Sequence, residues 1–260
     1  MTRSASACLA LALLLTACST TSGSDPRPPG PATAAATPPV ASVPPTAPSG
    51  TPADDEDASE SLRTRFAGRI VRPLPADLLA AMRGETWESG CPVPLRDLAL
   101  LRFNYWRFDG DVDRGPMVVN RTVARDVLGV FEKLFESRFP IRRVALAKRF
   151  RPNADPDSRG SVTASFNCRP VVTPDGPGNT FSQHSYGLAV DVNSLQNPYV
   201  RADGYVQDRF ARPYVDRSQD LPGMIHDGDV VVQAFADIGW AWGGRWSSGK
   251  DYMHFSLANR

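Results

Sequence analysis

Two short segments in the second half of the chain carry the residues best suited to hydrolytic chemistry. The chain has only three histidines, and His184 lies seven residues before Asp191. His254 lies three residues after Asp251. Catalytic zinc sites take three ligands from histidine and carboxylate side chains and leave a fourth position for water. His184, Asp191 and His254 are therefore candidate ligands of one zinc ion. Asp251 is a candidate acceptor for a proton from water.

Each of these segments also has an ordinary structural interpretation. A lone histidine in a strand is more often a hydrogen-bonded structural residue, and a strand aspartate more often caps a turn. The first segment alone is thus a weak indication of a metal site. The second segment, Asp-x-x-His, strengthens it because histidine is so rare in this chain. The third histidine, His226, lies among turn-forming residues and is predicted to be exposed rather than a ligand.

The residue alternation places both segments on strands. In Gly187–Asn193 the apolar residues recur at every second position from Leu188, which predicts a core face. Gly187, Ala189 and Asp191 point the other way, and such small residues beside an acid predict the open floor of a cleft.

The last strand, Tyr252–Leu257, alternates in the same manner. Phe255 and Leu257 are predicted to face the core, whereas His254 lies on the opposite, polar face. Asp251 would then stand at the turn into this strand, where its carboxylate can reach a water molecule at the metal.

The other elements are irregular in order. They are a helix over Pro75–Gly84, a strand over Leu98–Phe108, a helix capped by Asn120 and stopped by Pro140, strands over Ile141–Phe150 and Ser161–Val172, and a helix over Asp229–Ile238. Because helices and strands do not alternate regularly, the predicted fold class is α+β, with a small mixed sheet flanked by helices, rather than a doubly wound sheet.

The first 61 residues have a different character from the rest. The apolar run Cys8–Leu15 is too short to span a bilayer and is typical of a secretion signal. The sequence Leu-Thr-Ala-Cys that ends at Cys18 resembles the lipobox of bacterial lipoproteins, with an ordinary signal peptide as the alternative. Residues 18–61 are rich in Pro, Ala and Thr, which predicts a disordered tether. The predicted organisation is a signal peptide over 1–17, a tether over 18–61 and a folded domain over 62–260.

Composition and cysteine content limit the partners. The net charge of +1, without a basic block, excludes general attraction to nucleic acid. If Cys8 leaves with the signal and Cys18 carries lipid, Cys91 and Cys168 remain. In an oxidising extracytoplasmic compartment this pair is predicted to form a disulfide. Metal ligation by these cysteines is the less favoured alternative, since the chain has no Cys-x-x-Cys spacing.

The two segments together resemble a known family. Ser182-x-His184-x-x-Gly-x-Ala-x-Asp191, followed by Asp251-x-x-His254, is similar to the zinc D-alanyl-D-alanine carboxypeptidases of the VanY type. Phage and bacterial L-alanyl-D-glutamate endopeptidases share this core. The resemblance covers roughly 91–256, including the Trp-Gly-Gly-Arg-Trp run. It implies the small α+β fold that these peptidases share with the hedgehog signalling domain. It also implies one zinc ion on the three predicted ligands, with Asp251 as general base and acid.

The resemblance also implies an arginine before the first histidine that contacts substrate and stabilises the oxyanion. Arg169 is the candidate, and a guanidinium suits this task because it stays charged and can bind oxygens in a bidentate manner. Its surroundings depart from the family's usual Ser-Gly-x-Arg, so Arg149 is the second candidate. A surface cation beside the disulfide is the alternative role for Arg169. The expected substrate contacts are Ser182, Tyr186, Trp242 and Trp246, with at least one tryptophan in the core.

The expected function is hydrolysis of peptidoglycan stem peptides by a zinc peptidase that is lipid-anchored in the bacterial cell envelope. A D-alanyl-D-alanine carboxypeptidase is the first interpretation and an endopeptidase is the second. A non-catalytic module that binds zinc and a cell-wall peptide is the third. Asp251 argues against that module, because binding alone requires no proton carrier.

Overall fold

The computed structural model describes residues 65–147, 161–173 and 176–259. These residues all fall within one compact unit, inside Gly50–Arg260. Across these ranges, none of the helices has the length and apolar character that a membrane crossing requires. The predicted signal peptide, Cys18, the tether and Arg149 lie outside the described residues.

Ten strands and three α-helices make up the described chain. The strands are β1 Gly68–Val71, β2 Leu98–Trp106, β3 Val112–Asn120, β4 Pro170–Thr173, β5 Gly176–Phe181, β6 Ala189–Asp191, β7 Tyr199–Arg201, β8 Ala241–Trp242, β9 Gly249–Asp251 and β10 His254–Ser256. The helices are α1 Ala76–Met82, α2 Ala124–Glu136 and α3 Val230–Asp237. Short 3₁₀ helices connect several of them, and the mixed, non-alternating order confirms the α+β fold class.

The largest sheet is antiparallel and has the order β1-β2-β3. The apolar run that predicted a strand from Leu98 forms β2, which is buried along nearly its whole length. Helix α2 covers this sheet with the apolar residues that recur at helical spacing. Phe131 of α2 stacks on Phe103 of β2 with 4.3 Å between ring centroids. Burial of each such aromatic side chain contributes about 1.5–3 kcal/mol to the free energy of unfolding.

A second antiparallel sheet, of order β6-β10-β8, brings the two predicted chemical segments together. His254 pairs with Asp191, and Phe255 pairs with Val190. Helix α3 packs behind β10, where Phe235 stacks on Phe255 at 4.2 Å. The strand ends at Ser256, so the prediction that Leu257 faces the core is wrong, and this residue is exposed. Packing on the core face of this sheet therefore fixes the strands that carry Asp191 and His254.

Two predicted strands are absent as continuous strands from the described residues. Between residues 141 and 147 the only pairing is a bridge from Val144 to Thr163. In 161–169 the chain forms bridges at Thr163 and Ala164, and regular pairing begins only at Pro170. Backbone hydrogen bonds in this region are scattered, such as the one from the Thr163 amide to the Arg143 carbonyl at 2.8 Å. Side chains supply others: the Thr163 hydroxyl accepts from the Asn193 amide at 3.0 Å, and the side-chain carbonyl of Asn193 accepts from the Arg142 amide at 2.9 Å. The two segments therefore form scattered bonds where the apolar pattern predicts a continuous ladder of strand hydrogen bonds.

The helix predictions are confirmed, with one correction at a helix start. Helices α1 and α3 lie inside the predicted ranges. Helix α2 begins at Ala124, with Val123 rather than Asn120 in the N-cap position. The Asn120 side chain instead accepts from the amide of Thr122 at 3.1 Å. Asn120 therefore shapes the turn that leads into the helix.

The predicted disulfide between Cys91 and Cys168 is confirmed, and it closes a loop with a sequence separation of 77. Cys168 is also held by its amide, which donates to the Thr86 carbonyl at 2.9 Å. The disulfide thus fixes the segment that leads into Arg169.

Replacing both Cys91 and Cys168 with serine should lower the free energy of unfolding by about 4.5 kcal/mol, because the unfolded chain regains the entropy of an open loop of this length. Denaturant titration of the double variant against the oxidised parent measures this difference. The parent under reducing conditions is the control and should match the variant. Equal stability of the oxidised parent and the variant would contradict the structural role of the bond.

Candidate metal centre

The structure brings the three predicted ligand side chains to one point. His184 lies in the 3₁₀ helix Gln183–Tyr186, and Asp191 and His254 lie opposite each other on β6 and β10. His184 Nε2 is 3.2 Å from His254 Nδ1 and 3.2 Å from Asp191 Oδ1. His254 Nδ1 is 3.1 Å from Asp191 Oδ1. Three potential donor atoms therefore form a nearly equilateral triangle.

This triangle fits a tetrahedral zinc ion. Ligand atoms at about 2.0–2.1 Å from zinc lie roughly 3.3–3.4 Å from one another in tetrahedral geometry. The observed separations of 3.1–3.2 Å agree with this spacing to within a few tenths of an ångström. A hydrogen bond explains one edge of such a triangle, but a single proton cannot lie on all three edges. Two imidazoles and one carboxylate are also a donor set that zinc favours.

The ring of His184 is held in the tautomer that a ligand needs. Its Nδ1 lies 2.8 Å from the Ser165 carbonyl oxygen, which can only accept, so Nδ1 carries the hydrogen. The lone pair of Nε2 then points to the triangle. Ser165 was not predicted as a site residue, because a backbone carbonyl leaves no signature in the sequence.

Local backbone geometry places His184 at this position. Ser182 starts the 3₁₀ helix, where its hydroxyl accepts from the His184 amide at 3.4 Å. Gly187 ends the helix in the left-handed region with a φ of 66°. A Cβ at residue 187 would lie 2.4 Å from the Asn120 amide nitrogen, so both the turn and the close approach require glycine.

The prediction that small residues form the cleft floor is wrong for two of them. Gly187 packs against the end of β3. Ala189 is fully buried, and its carbonyl accepts from the Ser165 hydroxyl at 2.6 Å. Neither is among the lining residues of the cavity that opens over the metal triangle. The strand predicted from Gly187 begins only at Ala189, after a helical turn, so the simple alternation does not apply before it.

A cavity of about 1510 Å³ opens over the triangle. Its lining includes His184, Asp191, His254, Asp251, Arg169, Ser182 and Trp246. This volume exceeds the roughly 300–1,000 Å³ that is typical of a site for a small molecule. The cavity is therefore large enough for a peptide several residues long.

Asp251 presents a buried carboxylate oxygen in this cavity. Among the described residues, Asp251 Oδ1 has no hydrogen-bond partner. Burial, with a smaller contribution from the charge of Asp191, raises the pKa of Asp251 to about 7, although His254 and Arg169 oppose the shift. A pKa near neutrality suits a group that must both accept and return a proton.

The pKa of the second carboxyl group, that of Asp191, is shifted in the opposite direction. Burial raises the pKa of Asp191, but the charge and hydrogen bonds of His184 and His254 outweigh it, so the net pKa lies well below the ordinary range. Asp191 thus stays ionised, as a candidate metal ligand must, while Asp251 is near its midpoint at neutral pH. Two carboxyl groups with pKa values driven apart are typical of divided catalytic roles.

The raised pKa of Asp251 predicts a pH dependence of stability in the metal-free protein. The contribution from protonated Asp251 is present below about pH 4 and is lost as the pH rises through about 7. The thermal midpoint of the parent should therefore fall, relative to that of Asp251→Asn, between pH 4 and pH 7. Differential scanning fluorimetry across this range measures the gap between the two proteins. A gap that stays constant would show that the Asp251 carboxyl titrates normally.

Arg169 lies at the cavity wall, directly before β4 rather than within a strand. Its backbone is fixed by Ser185, whose hydroxyl accepts from the Arg169 amide at 2.8 Å and donates to its carbonyl at 2.7 Å. Its charge lowers the pKa of Asp251, which places the guanidinium within electrostatic reach of the site.

The predicted aromatic contacts divide between cavity and core. Trp246 lines the cavity, with its ring centroid 5.4 Å from that of His254. Trp242 is buried in the core and donates from Nε1 to the Tyr252 carbonyl at 2.8 Å. Tyr186 packs against the apolar cluster around Leu98 and is not among the lining residues, so the expected substrate contact of Tyr186 finds no support in its position. His226 lies outside the triangle, with Nε2 3.0 Å from the Gln219 carbonyl.

Gly243, in the Trp-Gly-Gly-Arg-Trp run, sets the position of Asp251. A Cβ at residue 243 would lie 2.6 Å from the Asp251 carbonyl oxygen and 3.0 Å from the Asp251 Cβ. The sequence contained this glycine pair, but no spacing rule connects it to Asp251.

Gly243→Ala is expected to displace Asp251 and to lower kcat about 10- to 100-fold, because displacements near 1 Å have effects of this size. Bound zinc should stay at one per chain, since the substitution contacts none of the three ligands. Gly129→Ala in α2 is the matched control, because a Cβ there meets nothing within 4 Å. Unchanged kcat in Gly243→Ala would show that the close approach does not position Asp251.

Comparison with known proteins gives one match. Residues 175–257 match a family model described as D-alanyl-D-alanine carboxypeptidase. The chain resembles the D-alanyl-D-alanine carboxypeptidase family, as the two sequence segments predict. The matched range contains the three ligand residues and Asp251, whereas Arg169 and both disulfide cysteines precede it. No curated protein and no solved structure shows significant similarity to the chain. The carboxypeptidase match indicates a peptidase with carboxypeptidase-type activity.

Proposed function

We propose that this chain is a zinc-dependent D-alanyl-D-alanine carboxypeptidase that acts on the stem peptides of peptidoglycan. The observation that carries the proposal is the triangle of His184, Asp191 and His254, with separations of 3.1–3.2 Å, in the same cavity as Asp251. The match to the carboxypeptidase family supports the peptide as substrate.

The candidate zinc ligands and Asp251 have separate parts in the proposed hydrolysis. When bound to the three ligands, zinc supplies a water of lowered pKa and a positive charge toward the substrate carbonyl. Asp251 accepts the proton from the attacking water and later donates it to the amine that leaves. Burial raises the pKa of Asp251 in the metal-free protein, and a carboxyl group whose pKa is raised in this way is suited to return a proton as well as to accept one.

The remaining groups bind and orient the peptide. Arg169 directs its guanidinium toward negative charge, which in this cavity means the oxyanion or the terminal carboxylate of the substrate. Trp246 forms a wall beside His254. Ser182 has its hydroxyl engaged by the His184 amide, so its main role is to orient that ligand.

An endopeptidase is the second candidate, and the cavity volume favours it. A space of about 1510 Å³ can hold a peptide that continues on both sides of the cleaved bond. A non-catalytic module is disfavoured by the buried Asp251 Oδ1, which has no hydrogen-bond partner in the part of the chain that the structure describes, because such a group is costly and binding alone gains nothing from it.

We also propose a location in the bacterial cell envelope, with the chain anchored to the membrane through lipid on Cys18. The disulfide between Cys91 and Cys168 supports an oxidising compartment. Mass spectrometry of the mature amino terminus tests the proposal, and an unmodified Cys18 would contradict it.

The activity is tested by mass spectrometry of muropeptides incubated with the zinc-loaded protein. Loss of one terminal D-alanine supports the carboxypeptidase, whereas cleavage within the stem supports the endopeptidase. Zinc binding without any new fragment would overturn both and favour the binding module. Chelated protein is the control and should give no fragment.

A further inference from the structure

The large apolar side chains that remain exposed are concentrated around the catalytic cavity. Four of them line it: Val171, Val172, Phe181 and Tyr199. The other three exposed large apolar residues of the described chain, Ile70, Tyr205 and Leu257, are not among its lining residues. Exposed apolar groups gathered at one site indicate a surface that is covered by a ligand.

Three of these side chains belong to the hairpin β4–β5, whose base is part of the metal centre. Arg169 directly precedes β4, and Ser182 directly follows β5. The Ser182 amide donates to the Arg169 carbonyl at 3.1 Å, which closes the base of the hairpin. His184 follows two residues later. A group held against Val172, which is 67% exposed, therefore lies on a wall continuous with the metal centre.

Tyr199 stands on β7, beside Asp251. The two residues are direct partners in the antiparallel pair β7–β9, and partners of this kind project their side chains to the same face. The Tyr199 ring extends over Gly249, where an added Cβ would lie 3.3 Å from the hydroxyl oxygen. The absence of a side chain at residue 249 leaves room for the Tyr199 ring beside Asp251.

We propose that Val171, Val172 and Phe181, together with Tyr199, form two apolar lips that determine specificity by binding the small apolar side chains of the substrate peptide. This inference rests on the proposed function and deepens it. Alanine side chains suit these lips because each methyl group that they cover adds favourable burial without any polar partner. A peptide with glycine in place of alanine loses this contribution at every lost methyl group.

Peptide binding to the zinc-loaded Asp251→Asn variant tests the role of the two lips. Cleavage does not interfere, because this variant is expected to be nearly inactive. The probes are a peptide ending in D-alanyl-D-alanine and the same peptide ending in glycyl-glycine. The starting protein should favour the alanine peptide by about fourfold for each covered methyl group. Adding Val172→Ser or Tyr199→Ala should weaken binding of the alanine peptide about four- to tenfold and reduce its preference over the glycine peptide. Calorimetry gives the Kd, and bound zinc should be unchanged.

The matched control is Ile70→Ser, an exposed residue of β1 that does not line the cavity and should leave both Kd values unchanged. Equal Kd values for the lip variants and the starting protein would overturn the lips, as would the absence of binding to either peptide. If the lip variants bind the alanine peptide more weakly but the unsubstituted protein cleaves no peptide, the proposed role of the lips is supported. The proposed carboxypeptidase activity is then refuted. These outcomes keep the two proposals separate.

Discussion

Asp251→Asn is expected to lower kcat about 1,000-fold or more while one zinc ion per chain stays bound. General acid–base catalysis contributes about 10²- to 10⁴-fold, and in the proposed mechanism Asp251 carries out both proton transfers. Asparagine keeps the shape of the side chain but can neither accept nor return the proton. Peptide hydrolysis rates together with metal content by mass spectrometry measure the two effects separately.

Asp237→Asn is the matched control for this prediction. Asp237 is exposed and pairs with Lys133 at 2.7 Å, away from the cavity. Its substitution should leave kcat unchanged. If Asp251→Asn retained more than a tenth of the parental kcat with zinc in place, another group would have to carry the proton.

His254→Ala should remove both bound zinc and activity, with a loss of rate on the order of 10⁴-fold or more. The loss is larger than for Asp251→Asn, because the charge that stabilises the transition state disappears together with the activated water. Zinc should also cease to stabilise the variant. At a free zinc concentration of 1,000 times Kd, the parent gains about 4 kcal/mol in the free energy of unfolding.

His226→Ala is the control, because this third histidine contacts Gln219 and lies outside the triangle. It should bind one zinc and retain the parental rate. Thermal unfolding with and without zinc separates the two variants, since only the His226 variant should show a shift. Retention of one tightly bound zinc by His254→Ala would refute the proposed ligand set.

The sequence predicted which three side chains the structure brings together, because histidine is rare in this chain. Three histidines in 260 residues make each His-and-Asp segment informative. The alternation around Phe255 correctly placed His254 on the face opposite the core. The search for a third candidate ligand pointed to a histidine on a neighbouring strand, and His254 lies on β10 as the direct pairing partner of Asp191.

The features that the sequence could not predict depend on contacts between distant segments. The alternation predicts that Gly187 is an open position on a strand face, but the backbone of Asn120 packs closely against this residue. The strand predicted from Ser161 is reduced to isolated bridges, supplemented by side-chain bonds such as that between Thr163 and Asn193. Tyr186 has the residue type of a substrate contact, yet it is partly buried and packs against the apolar cluster around Leu98. Residue type and periodicity do not indicate which distant segment of the chain packs against a given residue.

The account is tested most directly by titrating metal-free protein with zinc while following release of D-alanine from a D-alanyl-D-alanine peptide. Activity should be absent without zinc, rise in proportion to bound zinc and saturate at one ion per chain. Turnover by fully metal-free protein, or saturation with one zinc on His184, Asp191 and His254 without any release of D-alanine, would contradict it.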